Sequence, residues 1–358
     1  MYESFIIISG IIALLSIVRE VEHCKIIFWI FIVALIIFDG LRWEMGVDWP
    51  SYYNYFYKTE NFTFERGFVQ YTSLFQKLTN NYSIYMLITT AIIYVGIFFT
   101  VFKITNYSFL SIFYLTGTLS WYSGSLRQMM ACVFFTLALK ATIDKKIFKF
   151  IVLMILGVSF HTSIIVFLPI YWLYGMSSVM MTNLFILLSV GSVYSSNLIY
   201  LFDDLMKFFG FNKNYSTYLG GLPEISNSVF GFLRKFLTVT SLIAFTFISS
   251  TNSNLTRTQR EIIKFTLFLS CLSIIFYYIG TYHIAHVSSR LDIYAGIIGT
   301  SVLIGILDSN FTKTGNRLLL YAFVVALIIV FYYRLQNMDL FHPYTSVFYN
   351  YDFHRNLH

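Results

Sequence analysis

The stretch from Arg42 to Gly67 holds the side chains of this sequence that are best suited to chemistry. Its charged residues lie among two tryptophans and several tyrosines, and they are Arg42, Glu44, Asp48, Lys58, Glu60, Glu65 and Arg66. Aromatic rings beside paired charges suit a ligand that carries a sugar or a lipid headgroup at a membrane surface. We therefore expect this stretch to contact such a ligand.

Two arginines elsewhere stand at the predicted starts of apolar helices. Arg127 follows Ser123-Gly124-Ser125-Leu126, and Arg290 follows Ser288-Ser289, with Tyr294 one turn further on the same face. Serines cap helix starts, where free N–H groups and partial positive charge attract anions. An arginine toward the bilayer interior costs at least about 2.5 kcal/mol, so it is normally kept for a partner or a ligand. The pattern predicts that both arginines bind a diphosphate.

Structural alternatives remain open for these residues. Arg127 and Arg290 could instead pair with a carboxylate such as Asp292, or extend to lipid headgroups. His161 opens a third predicted helix as His161-Thr162-Ser163, and it either faces a ligand or lies hydrogen-bonded inside the helix bundle.

Composition indicates an integral membrane protein. The chain has 358 residues, of which 57% are hydrophobic and 11% charged, whereas ordinary domains carry about 25% charged residues. The net charge of +7 comes from scattered basic residues without a recognisable RNA or DNA module, so nucleic acid is not an expected partner. The cysteines are unspaced, and His283 with His286 lacks a third ligand, so we expect neither a disulfide, nor a metal, nor a cofactor.

The long apolar runs predict an all-α, polytopic fold with about twelve transmembrane helices. The predicted spans are Ser4 to Val18, Ile26 to Phe38, Ile84 to Phe102, Phe109 to Tyr122, Gln128 to Ile143, Phe148 to Phe160, Ser163 to Tyr174, Val179 to Tyr200, Val229 to Ile248, Ile262 to Tyr282, Leu291 to Leu307 and Leu318 to Tyr333. The first lacks a basic n-region and a cleavage site, so we expect it to be retained. Some spans are short, and we expect a re-entrant or broken pair around His161.

The basic residues of the short loops predict the orientation. They fall on one side of the alternating arrangement, which is therefore expected to be cytoplasmic; they are Arg19, Lys25, Lys103, Lys140, Lys145, Lys146, Lys149, Arg257, Arg260, Lys264, Lys313 and Arg317. The outer face then carries the loops 39–83 and 201–228 and the C-terminal tail 334–358. Long loops without structure of their own are often functional. We expect residues 1–358 to form a single membrane domain, since no repeat or soluble domain is visible.

Several short motifs in this order resemble the EpsG/Wzy-like family of bacterial polysaccharide polymerases. The motifs are Gly46-x-Asp48 with Tyr52, Glu65-Arg66-Gly67-Phe68, Ser125-Leu126-Arg127-Gln128 with Ala131, Phe160-His161-Thr162-Ser163 after Lys145-Lys146, and Arg290-Leu291-x-x-Tyr294. The sequence departs from the family pattern at Trp49-Pro50, where a tyrosine usually follows the aspartate, and in its long tail.

The resemblance implies a membrane glycosyltransferase of the polymerase type, as in O-antigen, capsule or exopolysaccharide synthesis. Such an enzyme transfers a growing glycan from undecaprenyl diphosphate to the non-reducing end of a lipid-linked repeat unit. It implies a fold like the GT-C class, a bacterial cytoplasmic (inner) membrane location with the active site facing the periplasm, and a possible chain-length regulator as partner. The alternatives are a flippase or transporter of the lipid-linked oligosaccharide, and a membrane acyltransferase or ligase.

Glycosyl transfer needs a cation for the leaving diphosphate and a base for the attacking hydroxyl. We assign Arg127, Arg290 and Arg42 to diphosphate binding; Arg42 could instead orient an acid. The candidate catalytic residues are Asp48, Glu44 and His161, in that order, and an ion pair of Glu44 or Asp48 with Arg42 or Arg66 is the structural alternative. The candidate substrate-binding residues are Gln128, Tyr52, Tyr294 and Glu65. Tyr52, Tyr53 and Trp49 could stack on sugar rings, although such residues also collect at membrane interfaces.

Overall fold

Helices make up nearly all of the structure, and the part that it describes contains no β-strand longer than an isolated bridge. It is a computed structural model that describes residues 2–19, 25–46, 48–58, 62–119, 122, 124–195, 200, 204, 207, 225–252, 255–284, 287–336 and 346–348. The chain divides into two compact units, Met1–Tyr171 with Ile304–His358, and Trp172–Leu303. The single membrane domain expected from the sequence stays a prediction.

Thirteen main helices run through the described residues. They are α1 (Tyr2–Arg19), α2 (Lys25–Gly40), α3 (Trp49–Tyr57), α4 (Arg66–Leu78), α5 (Tyr82–Ile104), α6 (Phe109–Leu119), α7 (Leu126–Ile143), α8 (Ile147–Phe160), α9 (Ser178–Val193), α10 (Ile225–Asn252), α11 (Arg257–Tyr282), α12 (287–310) and α13 (Thr314–Gln336). Where the structure describes them, the predicted spans coincide largely with helical structure. In the part of the chain that the structure describes, five helices are long and apolar enough to cross a membrane: Tyr82–Ile104, Leu126–Ile143, Gly231–Ser250, Arg257–Tyr282 and Arg290–Asn310.

The expected break around His161 is present. Helix α8 ends at Phe160, and His161 has extended backbone angles, φ −154° and ψ 121°. The chain then continues as a 3₁₀ helix, Thr162–Phe167, and a single turn of α-helix, Ile170–Leu173. The predicted span Ser163 to Tyr174 is therefore not one continuous α-helix. Its first part is a 3₁₀ helix, which rarely runs beyond a few residues.

The segment 39–83, which the sequence predicts to be an outer loop and which we name the outer stretch after that prediction, is more ordered than the sequence suggested, since it contains the helices α3 and α4. Pro50 lies in the first turn of α3, where a missing N–H group does no harm. Helix α4 buries Phe68, Thr72 and Phe75, which recur on one face, and its exposed residues are Arg66, Gln70, Leu74, Lys77 and Leu78. The stretch is therefore a pair of short helices rather than an irregular loop. The second predicted loop and the tail lie mostly outside the described residues.

Close packing in the first unit brings α5 against α7, the helix that carries Arg127. Helix α5 contains a π-helical turn, Val95–Phe99, and a Cβ atom added at Gly96 would lie 2.5 Å from Cγ1 of Val133. The absent side chain lets the two helices approach closely.

A second contact in the first unit is made by Asp308, whose carboxylate accepts from Ser108 Oγ at 2.7 Å and from Arg317 Nε at 2.9 Å. These contacts hold together helices that are far apart in sequence.

Candidate functional site

Two glycines dock the first outer stretch onto neighbouring helix ends. Gly46 has a φ of +96°, and an added Cβ would lie 2.4 Å from Cα of Gly124, just before α7. An added Cβ at Gly67 would lie 2.2 Å from Oγ of Ser159, near the end of α8. Both positions therefore need a residue without a side chain. Gly46 therefore brings this stretch next to the start of α7, which carries Arg127. Gly67 brings it next to the end of α8, just before His161.

Arg127 is held by three side chains of the outer stretch. Its Nη1 donates to Glu65 Oε2 at 2.7 Å, its Nε donates to the Tyr52 hydroxyl at 3.5 Å, and its guanidinium lies 4.6 Å from the Phe64 ring centre. Its side chain is 19% exposed. Among the described residues, no group accepts a hydrogen bond from its Nη2. The guanidinium is therefore fixed in place, with one donor nitrogen available to an anion.

The alternative that Arg127 pairs with a carboxylate is thus realised, and its partner is Glu65 rather than Asp292. The serine cap expected at this helix start is wrong for Ser125, which occupies the N-cap position without a capping hydrogen bond from its side chain; Ser123 lies outside the described residues. The neighbouring Gln128 is buried. Side-chain contacts, rather than a serine cap, shape this helix start.

Asp48 lies next to the Arg127 site through Tyr52. The Tyr52 hydroxyl donates to Asp48 Oδ2 at 3.2 Å, across one turn at the start of α3. Burial raises the pKa of the Tyr52 hydroxyl, the nearby Asp48 carboxylate adds to the rise, and Arg127 opposes it. Asp48 is half-buried, and within the described part of the chain no cation forms an ion pair with it. Its carboxylate therefore remains free of the ion pair considered as its structural alternative.

The aromatic rings of the outer stretch pack chiefly on one another. Trp49 stacks on Tyr53 with ring centres 4.9 Å apart, and Trp43 packs edge-on against both. Trp49 is 6% exposed and Tyr52 is 2% exposed, and the Tyr52 ring packs against both Phe64 and Phe68. These rings form the core of the stretch. Their burial gives stacking on a sugar little surface at Trp49 and Tyr52.

Arg42 is in a different environment from Arg127. Its Nη1 contacts Asp39 Oδ2 at 2.5 Å, and Tyr94 donates to the same carboxylate oxygen at 3.2 Å. Arg42 is 3% exposed, and its backbone forms an isolated bridge with Ser346 of the tail. Glu44, two residues later, has a φ of +49° and a half-buried side chain. The geometry favours a structural role for Arg42, and its assignment to diphosphate binding stays a prediction.

His161 caps the 3₁₀ helix that follows it. Its Nδ1 accepts from the backbone N–H of Ser163 at 3.3 Å and lies 2.7 Å from the Ser163 hydroxyl. Because a backbone N–H can only donate, the Nδ1 lone pair is already used and the neutral ring carries its hydrogen on Nε2. A general base needs that lone pair. The geometry therefore favours the structural alternative for His161.

The second unit contains the other predicted residues. Arg290 is half-buried in the first helical turns of α12, and Tyr294 is 0% exposed in the π-helical turn Ile293–Gly299. Asp292 contacts Lys235 Nζ through both oxygens, at 2.6 Å and 2.5 Å. Arg290 and Asp292 are two residues apart on a helix and so do not share a face. The partner of Asp292 is Lys235 instead. Arg127 and Arg290 fall in different units, and the assignment of Arg290 to diphosphate binding stays a prediction.

The sequence reasoning missed Lys235, although a signal for it exists. Lys235 lies inside the predicted span Val229 to Ile248, where an ionisable side chain demands a partner. Asp292 lies inside another predicted span, and the two opposite charges could have been matched. Within the described residues, no group of three or more His, Cys, Asp or Glu side chains could hold a metal ion.

A comparison with known proteins identifies the family of this chain. No curated protein and no solved structure matches the chain. The EpsG family matches residues 25–351, a range that includes the outer stretch, the Arg127 helix, His161 and Arg290. This family and the apolar helices together indicate a membrane protein of polysaccharide-polymerase type. Because the match covers most of the sequence, the chain belongs to the EpsG family.

Proposed function

We propose that the protein is a polysaccharide polymerase that extends a lipid-linked glycan. In the proposed reaction, a growing glycan moves from undecaprenyl diphosphate to the non-reducing end of a lipid-linked repeat unit, on the outer face of a bacterial cytoplasmic membrane. Membership of the EpsG family and the long apolar helices support this proposal. About twelve membrane crossings and a GT-C-like fold belong to the same proposal.

The observation that carries the proposal is the environment of Arg127. The glycosyl donor leaves as a diphosphate, so negative charge develops on a phosphate oxygen as the bond to the sugar breaks. A guanidinium with a donor nitrogen available, held in place by Glu65 and Phe64, is suited to receive that charge. Arg290 is the second proposed diphosphate ligand, and Gln128 and Tyr294 remain proposed substrate contacts.

The proposed base is Asp48. A base must remove the proton of the acceptor hydroxyl while the new glycosidic bond forms. The Asp48 carboxylate is half-buried, accepts one hydrogen bond from Tyr52, and is joined to Arg127 through that hydroxyl. Glu44 is the second candidate. His161 is not the proposed base, because its Nδ1 already accepts a hydrogen bond from a backbone N–H group.

The decisive experiment supplies the purified full chain, in lipid nanodiscs, with lipid-linked repeat units alone. We expect a ladder of longer glycans on a gel, with each step adding one repeat unit. An Asp48→Asn variant should produce the ladder about 100-fold more slowly or worse. If the protein moves lipid-linked units across a vesicle membrane without any chain growth, it is a transporter and the proposal is wrong.

A further inference from the structure

The hydroxyl of Tyr52 lies between the two groups that the proposed reaction needs most. It donates to Asp48 Oδ2 at 3.2 Å and accepts from Arg127 Nε at 3.5 Å. The spacing of four residues puts Asp48 and Tyr52 on the same side of the first turn of α3. Within the described residues, Asp48 and Arg127 are the two residues that hydrogen-bond this hydroxyl, and Arg127 does so with its backbone as well as its side chain.

The ring of Tyr52 is also held in place, because it is buried against two phenylalanine rings. It is 2% exposed, and its centre lies 5.8 Å from that of Phe64 and 5.4 Å from that of Phe68. Phe64 also supports the guanidinium of Arg127. A ring in this position has little surface left for a sugar. Its hydroxyl, in contrast, is held at one place between an acid and a cation.

We propose that Tyr52 is a positioning residue whose hydroxyl holds the Asp48 carboxylate in register with the Arg127 guanidinium. The inference rests on the proposed function, and it replaces sugar stacking as the role of this tyrosine. Tyr52 occupies Oδ2 of Asp48, so Oδ1 is left for the acceptor hydroxyl. Among the described residues, no hydrogen-bond donor reaches Oδ1.

The proposed step is balanced without any further reactant. Asp48 takes the proton of the acceptor hydroxyl, whose oxygen forms the new bond to the anomeric carbon. The bond from that carbon to the diphosphate oxygen breaks, and its electron pair leaves with the phosphate beside Arg127. Tyr52 keeps its proton throughout. Burial and the Asp48 carboxylate raise the pKa of Tyr52, so its hydroxyl stays a donor well above neutral pH.

The test uses Tyr52→Phe, which keeps the buried ring and removes the hydroxyl. We expect kcat for chain growth to fall about tenfold to a hundredfold, as for loss of a hydrogen bond to a charged group, with KM and thermal stability little changed. The matched control is Tyr55→Phe in the same helix. The Tyr55 hydroxyl has no hydrogen-bond partner among the described residues, so we expect unchanged kinetics.

A double-variant cycle separates positioning from simple structure. If Tyr52 acts through Asp48, adding Tyr52→Phe to Asp48→Asn should slow chain growth little further than Asp48→Asn alone. Full additivity, a normal kcat for Tyr52→Phe, or a rise confined to KM would each overturn the inference. Loss of folded protein with normal activity per folded molecule would overturn it as well. Absence of chain growth by the unaltered protein would instead refute the proposed function, and this inference with it.

Discussion

Two arginine–carboxylate pairs in the first unit show how similar contacts serve different purposes. Arg42 and Asp39 are three residues apart, and their side chains are 2% and 4% exposed. Arg127 and Glu65 come from distant parts of the sequence, and their side chains are 19% and 7% exposed. Tyr94 adds a hydrogen bond to the buried pair, whereas Arg127 keeps a donor nitrogen without a partner among the described residues.

The difference teaches what each pair can do. A buried pair contributes to structure, because removing either partner leaves an uncompensated charge away from water. A pair at the edge of a site can exchange its carboxylate for another anion, since the guanidinium has donors to spare. The first pair should therefore govern folding and the second should govern activity. Four substitutions test this contrast, and they are taken from the largest expected effect to the smallest.

Arg127→Ala should reduce chain growth by about 100-fold to 1,000-fold, because the leaving diphosphate loses its fixed cation. Glycan ladders made by equal amounts of folded protein measure the effect. Arg127→Lys should also fail largely, since a point charge lacks the bidentate fork. The control is Arg66→Ala: Arg66 is exposed and has no ion-pair partner within the described residues, so a full ladder is expected. A full ladder from Arg127→Ala would contradict the assigned role.

Arg42→Ala should act mainly on stability. It leaves Asp39 buried without its cation, which costs about 3–5 kcal/mol, and we expect loss of monodisperse protein after detergent extraction. The charge-free pair Asp39→Asn with Arg42→Gln should recover much of that loss, because no charge is then left uncompensated. Folded Arg42→Ala protein that is inactive would instead support the predicted diphosphate role of Arg42.

Glu65→Gln should strengthen anion binding by about tenfold, or roughly 1.4 kcal/mol. The carboxylate of Glu65 competes with a phosphate for Arg127, and a neutral amide of the same shape competes less. Isothermal titration with inorganic pyrophosphate measures the change. Weaker binding by Glu65→Gln would show that Glu65 chiefly orients Arg127.

Lys140→Ala should have the smallest effect. Lys140 and Asp144 form an exposed pair at 2.6 Å near the end of α7, with side chains 36% and 32% exposed. Exposed pairs of this spacing contribute only about 0.3–0.5 kcal/mol. The thermal midpoint and the glycan ladder should both stay close to those of the unaltered protein, and a large fall in either would mean that exposure is a poor guide to these pairs.

The membrane helices and the motif order could be predicted from the sequence, because they depend on local composition. A long apolar run forms a helix wherever it lies in the chain, because a helix satisfies all of its own backbone N–H and C=O groups. Where the structure describes them, the predicted spans therefore coincide largely with helical structure, and the break at His161 follows from the short segments around it. The helices α3 and α4 escaped prediction, since aromatic and polar residues alternate there without a long apolar run.

The partners of Arg127 were decided by the tertiary structure. Nothing in the local sequence indicates that Glu65, rather than Asp48, pairs with Arg127, or that Tyr52 lies between Asp48 and Arg127. Those contacts depend on the docking of Gly46 against Gly124. Lys235 and Asp292 likewise meet across helices. Apolar length acts locally along a chain, whereas an ion pair or hydrogen bond depends on ångström distances between distant segments, which only packing sets.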